Sequence, residues 1–171
     1  KISTPFEKAK IEVYLPEKNQ EIHYWVQYTT HTWVEYNGRE DGAIDCLPTN
    51  EIRKGDYIFA RLRGSQAEGW PIMEVWVNGH KEKEFEVTGD WYDYVVYGPV
   101  QENSWIDLAF VNNHGIEEND VLVWDRNIYV ENVRTPSKYL NYAYDRNNWD
   151  CSELKEGNMF WNGALRLKVL V

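Results

Sequence analysis

The stretch from Ile72 to Val87, IMEVWVNGHKEKEFEV, places Asn78-Gly79 between two runs rich in strand formers. An Asn-Gly pair in that position accepts the positive φ values of a tight turn whose twist suits the flanking strands, so it is a strong short-range signal for an antiparallel hairpin. The rest of the chain follows the same pattern. Strands are predicted at Lys10 to Leu15, Glu21 to Tyr28, Thr32 to Tyr36, Tyr57 to Arg63, Ile72 to Val77, Lys83 to Val87, Tyr92 to Tyr97, Ile106 to Val111, Asn127 to Val133 and Ala164 to Val171. No stretch carries helical periodicity. Short strands joined by polar turns predict an all-β chain folded as an antiparallel β-sandwich, jelly-roll-like, with long functional loops. The region from Thr135 to Asn162, rich in Asn, Tyr, Asp and Glu, reads as such loops.

At 171 residues the chain is long enough for one module that buries roughly 70% of its unfolded surface. Residues 1–171 are expected to form a single sandwich, with 1–56 adding N-terminal strands and a loop. A formal net charge of -10 and the lack of any basic run argue against nucleic acid, whose phosphates are bound by clustered Lys and Arg. No apolar run nears the roughly 20 residues needed to cross a bilayer, so no membrane insertion is expected. The chain opens on Lys1 and reads as a mature product or an excised module of a secreted protein. Its two cysteines, Cys46 and Cys151, either close one long-range disulfide or remain two buried thiols, and an extracellular setting favours the bridge.

The run NDVLVWDRNIYVENV (Asn119 to Val133) sets hard oxygen ligands against a strand, and IDLAFV just before it ends in Asn112 and Asn113. Calcium takes about six to eight oxygens from carboxylates, amides, backbone carbonyls and water, and all these types are present. Asn113, Asp120, Asp125 and the carbonyl of Trp124 are the candidate ligands, although Asp and Asn are also the commonest turn formers. On a strand from Ile72 to Val77, period two puts Glu74 on the face of Ile72 and Trp76, where a carboxylate needs a cation: calcium, or an arginine such as Arg61 or Arg63. A second D-R-N at Asp145, followed by Trp149 and Asp150, repeats the spacing of Asp120, Trp124 and Asp125. It reads as a second ion site, the opposite wall of the first, or a polar loop held by Cys151.

Three segments, ARLRGSQAEGWPIMEVWVNG (Ala60 to Gly79), EFEVTGDWYDYVVYG (Glu84 to Gly98) and IDLAFVNN followed by WDRNIYVENV, resemble in order and spacing the calcium-dependent xylan-binding type of carbohydrate-binding module. Family sixty is the match, and the related family thirty-six has a comparable Asp, Trp-Asp arrangement. The C-terminal GNMFWNGALRLKV (Gly157 to Val169) also resembles a closing strand of longer relatives, so the likeness covers residues 57–171. It implies a non-catalytic β-sandwich in which a calcium ion contacts sugar hydroxyls directly. Carried over by position, the ion-binding aspartate is Asp125 and the carbonyl before it is that of Trp124. The family's aspartate of Asn-Asp is here Asn113, which brings an oxygen without a charge, so Asp120 or Glu118 is expected to compensate. A further family aspartate is here Glu131.

The expected sugar-facing residues are Asp125, Asn127, Trp91, Tyr92, Trp149, Asp145 and Asp150. The expected ligand is a plant-type polysaccharide, xylan, galactan or β-glucan, with aromatic stacking in support. The chain is then expected to be part of a larger secreted carbohydrate-active enzyme and not itself an enzyme. Two other classes remain open at this stage: a small polysaccharide-degrading enzyme using paired carboxylates, and a structural or adhesive β-domain that calcium merely stiffens. No nucleophile elbow, zinc-ligand spacing or phosphate-binding glycine loop is present in the sequence.

Overall fold

The computed structural model describes residues 10–14, 23–28, 36, 38, 46–145 and 157–171. Thirteen strands run in chain order: β1 (Lys10–Tyr14), β2 (His23–Tyr28), β3 (Thr49–Glu51), β4 (Ile58–Ser65), β5 (Ile72–Val77), β6 (His80–Glu86), β7 (Tyr92–Tyr97), β8 (Ser104–Phe110), β9 (Gly115–Glu118), β10 (Val121–Asp125), β11 (Asn127–Arg134), β12 (Ala143–Asp145) and β13 (Gly163–Leu170). The architecture is a β-sandwich. One layer has the order β11-β4-β7, and the other has β12-β13-β8-β5-β6 with β3 added in parallel to β13.

The core follows from period-two alternation on facing strands. On β4, Ile58, Ala60 and Leu62 point inward while Phe59, Arg61 and Arg63 point outward. Met73, Val75 and Val77 of β5, Ile106, Leu108 and Phe110 of β8, and Leu165, Leu167 and Val169 of β13 meet them from the other layer. Each such side chain contributes about 1.5–3 kcal/mol on burial. Gly64 continues the inward row of β4 where a Cβ would stand 2.2 Å from the Val87 carbonyl oxygen, so no larger residue passes there. The Asn78-Gly79 turn forms as expected, with φ of 53° and 82°, and joins β5 to β6.

The middle of β8 is buried on both faces. On its outer side Asp107 accepts a hydrogen bond from Arg166 Nε at 2.9 Å and another from the Tyr36 hydroxyl, and Arg166 Nη1 lies 3.7 Å from Asp145 Oδ2. Burial pushes the Asp107 carboxyl up, and the Arg166 guanidinium opposes that shift. Tyr36 packs here with Ala109, Val111, Ala164 and Trp76. The N-terminal part of the chain therefore contributes a lid residue to the outer face of the larger sheet.

Several strands differ from the sequence expectation. β3, β9, β10 and β12 were not anticipated. The stretch from 135 to 162, expected to be loop with little regular structure, carries β12 and also pairs Met159 with Ile128. A third sheet has the order β1-β2-β9-β10. Its hairpin turns at Asn119 and Asp120, both at positive φ (56° and 66°), a conformation that Asn and Asp tolerate better than most residues. The expected strand from Thr32 lies outside the described residues up to Tyr36.

Candidate functional site

The site is organised by the middle residue of the first D-R-N. Arg126 is buried, and its guanidinium donates through Nη1 to the Asn112 carbonyl at 2.9 Å, through Nε to the Gly69 carbonyl at 3.1 Å and through Nη2 to the Glu68 carbonyl. Its backbone N–H donates to the His114 carbonyl at 2.9 Å. One planar fork thus ties the β4–β5 loop and the end of β8 to the start of β11, the kind of rigid multi-donor contact for which Arg is suited. Gly69 sits against this fork at φ 118°, with a Cβ position 3.2 Å from Nη2, so the close approach suits glycine.

Ser65, at the end of β4, locks the same junction. Its hydroxyl donates to the Asp125 carbonyl at 2.7 Å and accepts from the Asn127 N–H at 3.0 Å. Asn112 is spent on structure: its side chain accepts from the Ile72 N–H at 2.8 Å and donates to the Trp70 carbonyl at 3.1 Å. Its neighbour Asn113 has its N–H bonded to Asn162 Oδ1 at 2.9 Å and lines an open cleft of about 460 Å³. Asp125 and Asn127 line the same cleft, with Leu122, Tyr129, Phe160 and Trp161.

Partial burial pushes the Asp125 carboxyl up to about 6, and hydrogen bonds from the Asn127 side chain and the Arg126 backbone hold it back from rising further. Among the described residues no ion pair to Asp125 is found. Beside it, Asn127 Oδ1 is buried without a hydrogen-bond partner. A desolvated carboxylate next to an unsatisfied amide oxygen costs free energy that a hard cation would recover, because calcium accepts carboxylate and amide oxygens together. The donor set fits calcium and offers no nitrogen or sulfur for a softer metal. Among the described residues no three His, Cys, Asp or Glu side chains converge, so the set holds one carboxylate with amide and backbone oxygens.

The structure brings Asn113, Asp125 and Asn127 together and corrects other expectations. Asp120 turns the β9–β10 hairpin while Asp125 ends β10, so the two lie a strand apart, roughly 16 Å at 3.3 Å per residue. Asp120 and Glu118, at the same hairpin end, therefore do not supply charge beside Asp125. Glu74 does not line the cleft; its carboxylate accepts from Trp76 Nε1 at 2.9 Å and Lys81 Nζ at 3.3 Å, so its cationic partner among the described residues is a lysine and not Arg61 or Arg63. Asp145 is buried against Arg166 on the outer face of the larger sheet and does not line the cleft. Glu131 pairs with Arg61 at 3.1 Å.

Trp124 exposes 61% of its surface just before Asp125, beyond a bulge in β10. Trp91 and Tyr92 are exposed where β7 begins, and Trp91 reaches the cleft wall indirectly, since Arg63 lies 5.4 Å from its ring and 4.2 Å from that of Tyr129. Trp149, Asp150 and Cys151 lie outside the described residues. Cys46 is not a free thiol.

Sequence reasoning missed Tyr129, Phe160 and Trp161 as the aromatic wall. The rings of Tyr129 and Phe160, and of Phe160 and Trp161, meet edge to face at 5.9 Å. Period two from Asn127 would have put Tyr129 on the cleft side. Phe160 and Trp161 arrive only because Met159 exchanges backbone hydrogen bonds with Ile128 at 2.7 and 3.0 Å, laying the C-terminal segment along β11. No local pattern announces that bridge.

A family profile described as the Ca-dependent carbohydrate-binding module, xylan-binding, CBM60, matches residues 58–147. A search of curated proteins finds no match. Among solved structures, one described as vCBM60 in complex with galactobiose is similar at 17% identity over 65% of this chain and 96% of that one, with a TM-score of 0.48. A selenomethionine form of vCBM60, described in connection with circular permutation between two families of calcium-dependent carbohydrate-binding modules, is similar at 18% identity over 66% and 89% of the two chains, with a TM-score of 0.46. The profile spans more than half of the chain and its match takes in Gly69, Asn113, Asp125, Arg126 and Asn127, so the protein belongs to CBM60, the xylan-binding family of carbohydrate-binding modules described as calcium-dependent.

Proposed function

We propose that the chain is a non-catalytic module that binds xylan or a related plant polysaccharide through a calcium ion held at the Asp125 cleft. The observation that carries this reading is the desolvated Asp125 carboxylate beside the unpartnered buried oxygen of Asn127, in a cleft open to solvent and walled by aromatic rings. Asp125, Asn127, Asn113 and the Trp124 carbonyl are the residues that would hold the ion. When bound, calcium supplies exchangeable coordination positions for a pair of sugar hydroxyls. The chain's own part is to present the oxygens at fixed spacing through Arg126 and Ser65, and to offer Phe160 and Trp161 as apolar surface to a sugar ring.

We further infer that residues 1–171 act as one unit, since β2 pairs with β9, β3 pairs with β13 and Tyr36 bonds Asp107. A Cys46–Cys151 disulfide, a secreted setting and attachment to a larger carbohydrate-active enzyme complete the proposal. The test is calorimetric titration with xylo-oligosaccharide in calcium, in chelator, and after calcium is restored. Loss and return of binding support the reading, and binding that ignores chelator overturns the ion's role.

A further inference from the structure

The outward row of β4 continues away from the ion cleft. Ser65 holds the Asp125 junction, Arg63 lies over Tyr129, Arg61 bonds Glu131 and Asp93, and Phe59 carries the Arg134 guanidinium 5.2 Å from its ring centre. These residues span roughly 20 Å of one sheet face at 3.3 Å per residue. At the far end opens a second cleft of about 580 Å³, larger than the first, lined among others by Arg61, Asp93, Glu131, Arg134, Lys138 and Tyr139.

Its chemistry differs from that of the first cleft. Three cationic side chains, Arg61, Arg134 and Lys138, line it with two carboxylates, Asp93 and Glu131, which gives a local excess of one positive charge in a chain of net charge -10, and the Lys138 ammonium donates to the Glu51 carbonyl at 2.8 Å. Asp93 Oδ2 is shared between Arg61 Nη1 at 3.3 Å and Arg134 Nη2 at 3.2 Å, so one carboxylate serves two guanidiniums. The Arg61 and Arg134 side chains remain 36% and 29% exposed. Phe59 steadies the plane of Arg134, while Tyr139, 71% exposed, stands at the rim as a flat apolar face. Two acceptors in the wall, Asp93 Oδ1 and Asn132 Oδ1, are buried without partners, a costly state that a hydroxyl or water relieves. A planar guanidinium with unused donors beside an aromatic ring suits a sugar that carries a carboxylate.

We propose that this sheet-face cleft is a second glycan subsite that takes the uronate groups of an acidic polysaccharide, with Arg134 as the carboxylate anchor and Tyr139 as the ring platform. The proposal rests on the reading of the chain as a glycan-binding module and sets the class of its substrate. It also gives the polymer a continuous path over Arg63 between the two clefts.

The test compares uronate-substituted xylan with the same polymer after its carboxyls are reduced, by calorimetry of the full chain in calcium. The expected result is a roughly three- to tenfold preference for the uronate form that shrinks with added salt. Arg134→Gln with Lys138→Gln brings the affinity for the uronate form down to that for the reduced form, whereas Asp125→Ala weakens both polymers and keeps their ratio. Equal binding of the two polymers by the unmodified protein overturns the proposal, as does a preference that survives the double substitution. If Arg134→Gln disturbs folding, Lys138→Gln with Tyr139→Ala at the exposed rim reads the same ratio. Failure of the calcium reading shows separately, as binding of the carboxyl-reduced polymer that chelator leaves unchanged.

Discussion

Replacing Arg126 with Met tests whether the D-R-N arginine is the clamp that builds the cleft. The substitution keeps the apolar stem and removes a fork that donates to the carbonyls of Asn112, Gly69 and Glu68. A hydrogen bond involving a charged group is worth about 1.5–3 kcal/mol in mutational series, so three of them set an upper range of roughly 4.5–9 kcal/mol. The bonds to Gly69 and Glu68 are only partly buried, so water replaces part of that loss. The net cost is then about 3–5 kcal/mol, and at about 2–4 °C per kcal/mol for a chain of this size the melting temperature falls by roughly 6–20 °C. The second consequence concerns function. The Arg126 side chain fixes the Asn112 carbonyl just before Asn113, so its loss loosens that residue beside Asp125 even though the backbone bond to the His114 carbonyl stays, and calcium binding weakens at least tenfold although Arg126 is not itself a ligand. Thermal denaturation by circular dichroism and calcium titration of the folded variant measure both. A shift under 2 °C with unchanged calcium affinity refutes the clamp. Arg126→Lys should fare almost as badly, because one ammonium cannot fork to three carbonyls held in a plane.

Four further outcomes are expected. Asp125→Ala removes the cleft's one carboxylate, so calcium-dependent retention on immobilised xylan should disappear while the melting temperature without calcium holds or rises; retention equal to the original protein would sink the assignment. Glu74→Gln should leave calcium affinity within twofold, since that carboxylate is held by Lys81 and Trp76, and a large loss in the same titration would reinstate it as a ligand. Trp161→Ala, at a position 44% exposed, should weaken oligosaccharide binding by roughly two- to tenfold without altering calcium binding, as expected for one aromatic contact of about 0.5–1.5 kcal/mol. Arg166→Met leaves Asp107 buried without its cation and should cost about 3–5 kcal/mol near neutral pH. Arg166 lowers a carboxyl that burial raises, so the variant's Asp107 rises further above its unfolded value. The stability of the protonated form is fully present below the unfolded value and is lost as pH rises through the folded one, so the variant should be less destabilised at pH 5 than at pH 8 in urea unfolding. A penalty independent of pH would argue against a buried ionised Asp107.

How much of this was legible in the sequence depended on the range of the signal. The Asn78-Gly79 turn and the alternation along β4, β5 and β11 are local, and they led to the right architecture, with the ends of β5 as expected and those of β4 and β11 displaced by at most two residues. The hairpin β9–β10 was missed because Asn119-Asp120 is a weaker turn pair than Asn-Gly, and that omission placed Asp120 beside an ion site from which a whole strand separates it. Glu74 was correctly grouped with Ile72 and Trp76, but that row was read as an apolar layer in which calcium or an arginine must meet the carboxylate; it is the outward row, and Lys81, seven residues on and across the hairpin, takes its charge.

The sequence by itself determined that the chain is antiparallel β, which oxygen-bearing residues flank the D-R-N and which family pattern they follow, because period, turn chemistry and motif spacing are properties of neighbours along the chain. Only the tertiary structure decided which of those oxygens share a cleft, that Asp145 serves a buried guanidinium, and that Phe160 and Trp161 wall the site. It also set Arg61, Arg134 and Tyr139 in a second cleft on the same sheet face. Each of these depends on strands distant in sequence meeting in register, and the free energy of that meeting comes from the shared core and from backbone bonds such as Met159 to Ile128, which no local pattern encodes.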